Sequence, residues 1–307
     1  MRRGPGARAL AGVVALLAAT LLLAAACLYT PPERLPSSIR ILYSKTTRDS
    51  LGPKTDIWFL VARPGNELRL TGPEGADTQP AFAPSILRIL FTRETDGRSE
   101  IWSMELDGSG ARRLIGGEGE EVRDPAVAPD ERSLAFVRES GGRSELVVSD
   151  LDGTNPRVVL EGAWRRPAWS PDGDELVVVG MREGVPRLFV VGVDGAEPRE
   201  LTPGRPGPQD HPDWSPDGRL VAFTSGSGAG AEIAVAEVEG GGVRSVTDND
   251  VRDADPAFGP EGERLVYVSR RPEGTDNLWI VGVGEDGAEA DALTESEEED
   301  AGDPAWP

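Results

Sequence analysis

Past residue 38 the chain alternates short apolar runs with turn residues, and the runs return in one order. Pro167-Ala168-Trp169 opens one such unit; its proline has no N–H to give, which confines the segment to a sheet edge. Ser170-Pro171-Asp172-Gly173 fits a type I turn. The β-branched run Leu176-Val177-Val178-Val179 predicts a second strand, and residues 187–193 a third. Asp194-Gly195 is a hairpin signal. Arg199-Glu200-Leu201-Thr202 predicts an outer strand, charged as an exposed edge should be. In this layout the first strand is innermost, and Trp169 packs between neighbouring units.

The order repeats. Second strands are predicted at 39–44, 88–92, 133–137, 220–224 and 264–269. Third strands carry Ile57-Trp58, Ile101-Trp102, Leu146-Val147, Ile233-Ala234 and Leu278-Trp279. Outer strands end at Leu70-Thr71, Leu114-Ile115, Val159-Leu160, Val246-Thr247 and Leu293-Thr294. The leading prolines are 80, 125, 167, 212, 256 and 304, spaced 45, 42, 45, 44 and 48 residues apart. A beat of that length suits a four-stranded propeller blade. The first repeat lacks an inner strand and the chain ends on an orphan one, Pro304-Ala305-Trp306. The expected fold is therefore all-β: a six-bladed β-propeller closed by pairing of the N- and C-terminal strands, preceded by an N-terminal hydrophobic helix or signal.

Composition changes the picture in three places. The 26 prolines and 38 glycines recur at matched positions, so they punctuate turns rather than mark disorder. The first 27 residues hold Arg2, Arg3 and Arg8 and no acid, which leaves 29 basic residues against 53 acidic ones in the rest. Such a surface repels phosphate backbones, so no nucleic-acid partner is expected. A basic protein partner or divalent cations remain compatible with it. Cys27 is the single cysteine, which rules out an intrachain disulfide.

The N-terminus reads as a targeting segment. Three arginines precede an apolar run over residues 9–29 that contains Leu23-Ala24-Ala25-Ala26-Cys27. Small residues before a lone cysteine resemble a bacterial lipoprotein signal, which would make Cys27 the lipidation site. An ordinary signal-peptidase site and an uncleaved membrane anchor are the alternatives. Each puts the folded part outside the cytoplasm, on the periplasmic or extracellular side of a bacterial envelope. The expected organisation is residues 1–27 as signal or anchor, 28–37 as a stiff tether and 38–307 as propeller.

The repeated motif is similar to that of the TolB-like, WD-repeat-like propeller family: proline, small residue, aromatic, Ser-Pro-Asp-Gly, β run, Ile-Trp-type third strand, Asp-Gly, outer strand ending Leu-Thr. The match is strongest at 167–173 and 212–218, and weakest at 80–86, where isoleucine takes the glycine place. The resemblance implies an envelope propeller that binds protein partners. TolB itself has an additional N-terminal domain, for which 28–38 leaves no room.

Candidate chemistry is sparse. His211 is the lone histidine, and it precedes a motif proline; a channel-lining polar role fits it better than catalysis. No Gly-x-Ser-x-Gly elbow is apparent. Asp150-Leu151-Asp152-Gly153 begins like a calcium loop but lacks the later ligands. Ser225-Gly226-Ser227-Gly228-Ala229-Gly230 lacks the lysine of a phosphate loop. Acidic clusters at 118–121 and 295–300 read as solvated connections, or as a rim attracting a basic partner. Repeat symmetry places Gln79, Asp124, Arg166, His211, Asp255 and Asp303, the residues before the motif prolines, in a ring at the channel mouth, where a peptide or small ligand could bind. Alanine at Arg166 or His211 is expected to weaken binding without lowering the melting temperature. No metal and no cofactor are expected, and the chain is expected to act as a monomer. Three functions follow in order: a non-enzymatic binder of an envelope protein or peptide, a ligand- or metal-sensing propeller, and an enzyme acting on glycans or peptides.

Overall fold

The computed structural model describes residues 40–50, 52–61, 66–270, 274–284 and 290–306. The expected signal, tether and lipidation site at Cys27 lie outside the described residues. What is described is an all-β, six-bladed propeller. It contains six four-stranded antiparallel sheets and, apart from two short 3-10 turns, no helix.

The inner strands are Ala76–Ala83, Glu120–Val127, Arg165–Trp169, Gln209–Trp214, Arg252–Phe258 and Asp300–Ala305. The first five each start a blade whose remaining strands follow in chain order. The sixth lies against Arg40–Asp49, which continues to Gly52–Val61 and Glu67–Arg69. One sheet thus combines the first and last described strands.

The second and third strands alternate buried side chains toward the two neighbouring blades, so apolar side chains collect between sheets. There are six such clusters, one per interface. The cluster holding Ile41, Tyr43 and Leu60 with Val266, Val268, Leu278 and Ile280 joins the first blade to the last. Trp169 packs between blades as expected, and its indole N–H donates to the Ala126 carbonyl of the preceding blade at 2.9 Å.

The Ser-Pro-Asp-Gly turns form as read. Gly173 N–H donates to the Ser170 carbonyl and Gly218 N–H to the Ser215 carbonyl, both at 2.9 Å, with each glycine at positive φ. In the degenerate copy the left-handed residue is Leu87, at φ 54° and largely exposed.

The outer edges need correction. The strand in the fourth blade is only Arg199–Glu200, and Leu201 and Thr202 are buried rather than exposed. The acidic clusters are also not simple connections. Glu120 and Glu121 belong to an inner strand, while Glu299 and Asp300 pair with Lys45 and Arg48, each at 2.5 Å.

Candidate functional site

Every inner strand breaks register at the motif proline. In the fifth blade Asp210 pairs with Thr224 and Asp213 with Ala222, so His211 and Pro212 together face Phe223. Two residues opposite one is a β-bulge. The same irregularity falls at 79–80, 124–125, 166–167, 255–256 and 303–304. Proline supplies no N–H, so an edge strand loses no ladder bond there.

The bulge changes the backbone of the residue before it. Gln79, Asp124, Arg166, His211, Asp255 and Asp303 all have positive φ, between 45° and 56°. That region is disfavoured for L-residues, and the position before proline normally prefers extended backbone. Six non-glycine residues held this way, once per blade, re-aim six side chains. All six line a single open channel of about 380 Å³, with the following Pro-small-aromatic segments as its wall.

The polar side chains form a chain around this ring. Gln79 N–H lies 3.4 Å from Asp303 Oδ2, Asp124 N–H donates to Gln79 Oε1 at 3.1 Å, and Arg166 N–H donates to Asp124 Oδ2 at 3.0 Å. Asp303, Gln79 and Asp124 thereby each accept from the backbone of the next blade. The Gln79 amide also donates to the Asp124 carboxylate. The sequence of acceptors stops at Arg166, whose guanidinium has none. There His211 N–H turns to its own neighbour Asp210, and Asp255 N–H to Thr224 Oγ1, both at 3.0 Å.

The cations are taken up by carboxylates. Arg166 lies 3.4 Å from Asp303 and 3.6 Å from Asp210; His211 Nε2 lies 2.9 Å from Asp255. Asp210 also meets Arg165 at 2.5 Å. Burial works against the Arg166 charge, but Asp303, Asp255, Asp124 and Asp210 outweigh it and hold the guanidinium above its ordinary range. Burial likewise pushes Asp255 up, yet His211, Arg166 and Arg252 keep it well below the usual carboxylate range. Arg166 is thus the hub of the ring's charge balance. Its removal leaves several half-buried carboxylates without their cation, which destabilises the fold. The expectation that alanine at Arg166 leaves the melting temperature alone does not fit this geometry.

Sequence reasoning missed two residues here. Asp210 ties both ring cations to Arg165. Asp213 lines the channel at the place where the other blades have Ala81, Ala126, Ala168, Ala257 and Ala305. Asp213 Oδ2 accepts from Phe258 N–H of the next blade at 2.7 Å. Burial raises its carboxyl to about 7, against the opposing effect of the Phe258 and Trp214 N–H groups. The signal was present in aligned copies of the motif, as one carboxylate in a column of alanines.

The family model described as TolB beta propeller domain matches residues 32–164 and 120–306. The chain is 39% identical over 69 residues to Uncharacterized protein Atu1656 of Agrobacterium fabrum, covering 22% of this chain and 23% of that protein. It is 38% identical over 64 residues to Uncharacterized peptidase YuxL of Bacillus subtilis, covering 20% of this chain and 10% of that protein. The matches thus span under a quarter of either relative. Its fold is similar to that of TolB from Acinetobacter baumannii, with a TM-score of 0.74 at 20% identity, over 87% of this chain and 66% of that one.

Proposed function

The chain belongs to the TolB β-propeller domain family, and from that premise we propose that it is a non-enzymatic propeller of the bacterial cell envelope that binds a protein or peptide segment in its channel. One observation carries the reading: six blades each hold a polar residue in strained backbone, and all six side chains converge on one open cavity. Strain repeated at a shared pocket is the mark of a binding site rather than of packing. The non-enzymatic part rests on His211, which is held between Asp255 and Asp210 rather than against a hydroxyl or thiol. Envelope placement rests on residues 1–27, with attachment through lipid on Cys27 or through uncleaved residues 9–29, and with 38–307 as the working domain. The chain acts as a monomer, since its six blade interfaces are filled by its own side chains.

The test is site-specific photocrosslinking in native envelopes. A crosslinking residue at Ala168, on the channel wall, should capture a partner identified by mass spectrometry. The same probe at Arg199, exposed on an outer strand, should not. Equal capture at both positions, or capture at Arg199 alone, overturns channel binding. Mass spectrometry of the mature N-terminus checks the lipid on Cys27.

A further inference from the structure

We propose that Asp213 is the specificity residue of the channel, and that it receives a basic group, an ammonium or guanidinium, presented by the bound peptide. The inference rests on the channel-binding reading and names the chemistry of its occupant.

Three observations carry it. Asp213 breaks a six-fold pattern, because the other five blades place alanine there. A methyl group suffices for packing at that position, so the carboxylate is not needed to build a blade. Asp213 also lies in the channel wall, with one oxygen accepting from Phe258 N–H. The ring cations are committed elsewhere: Arg166 to Asp303 and Asp210, Arg165 to Asp210, and His211 to Asp255.

A carboxylate taken out of water without a cation is costly, unlike one already paired. Among the described residues, Asp213 is met by backbone N–H groups and by no opposing charge. An occupant that brings a cation supplies the missing partner in a half-buried place, where charge complementarity discriminates among side chains. A neutral or acidic side chain at the same point leaves the carboxylate uncompensated. The chain's formal charge of −21 draws basic partners toward the molecule but does not select among them.

The experiment uses the full chain in detergent and a phage-displayed random heptapeptide library, panned at high salt so that attraction to the exposed acidic surface is screened. Wild type should enrich peptides with lysine or arginine at one fixed position, and Asp213→Asn should lose that preference. A synthetic enriched peptide should bind Asp213→Asn about thirtyfold or more weakly, in line with breaking a buried charge pair. Its lysine-to-glutamine version should bind both proteins alike. Asparagine keeps the oxygen that accepts from Phe258, so folding is retained. Asp213→Ala, with the residue the other five blades use, is the second variant.

Enriched peptides without a basic position, or a basic preference that survives both substitutions, overturn the role of Asp213 and leave channel binding standing. No enrichment on wild type overturns the peptide-binding reading and this inference with it.

Discussion

Asp213 has a pH signature of its own. Its folded carboxyl titrates at about 7, above the ordinary value of 3.8. The folded state therefore holds a proton through a range where the unfolded chain has lost it. Stability from this group is greatest below about pH 4 and declines as pH rises through 7. Asp255 and Asp210 are shifted the other way, so their contribution is lost only in acid, below the ordinary carboxylate range. Asp213→Asn should accordingly melt higher than wild type at pH 8, by about 2–4 °C for each kcal/mol relieved, and coincide with it only near pH 3, below the ordinary carboxylate value. Paired thermal melts at the two pH values check this; a variant that melts lower at pH 8 overturns it. Gain of stability with loss of binding is the pattern expected of a functional carboxylate. At the same scale, Gly259 replaces the serine or alanine that begins the turn elsewhere. A Cβ there would sit 3.1 Å from the Trp306 ring, so this glycine makes room for the last aromatic of the chain.

The outer strands show how an element can be read correctly in place and wrongly in character. The Leu-Thr endings sit just where polar edge strands were expected, yet they are buried. Thr71, Thr247 and Thr294 accept, through Oγ1, the N–H of Ile57, Ile233 and Leu278, each at 2.9 Å. The preceding residues Leu70, Val246 and Leu293 bond back to the carbonyls of those same three residues. A short outer strand thus ends by turning inward, and the threonine hydroxyl replaces the next ladder bond. The fourth blade solves the problem differently: Leu188 N–H and the Thr202 hydroxyl both donate to Gln209 Oε1. Thr247→Val keeps the shape but leaves Ile233 N–H and Glu232 without their hydroxyl partner. It should destabilise the chain by about 1–3 kcal/mol. Chemical denaturation measures this, and an unchanged midpoint would count against the satisfied-hydroxyl account.

At the scale of the molecule, the repeats form a ring only if the first and last sheets meet. Asp300–Ala305 pairs with Arg40–Asp49, and polar contacts reinforce the seam. Lys45 reaches Glu67 and Glu299 and lies over the Trp58 ring, Arg48 meets Asp300, and the Ser44 hydroxyl donates to Asp303 at 3.0 Å. Asp303 is also a ring residue, so the seam and the proposed binding site share a side chain. We expect this seam to be the closure of the propeller. Deleting residues 300–307 exposes the inner edge of the first blade and removes one ring side chain. Unfolding should then lose its single cooperative transition, and channel crosslinking from Ala168 should vanish with it. A truncated chain that unfolds as sharply as wild type would overturn this role.

The sequence alone determined the number of blades, the place of each strand, the turns and the identity of the six ring residues. These follow from local rules: proline lacks an N–H, serine and glycine bracket a type I turn, and β-branched runs favour pleated strands. It also held the odd aspartate at 213, in plain view but without meaning until its neighbours were known. Only the tertiary structure decided the left-handed backbone before each proline, the burial of the Leu-Thr endings, and which carboxylate answers which cation. Those properties arise where one blade meets another or where six strands face a common axis. Pairing energies and burial there depend on distances between residues far apart in the chain, which no local pattern encodes.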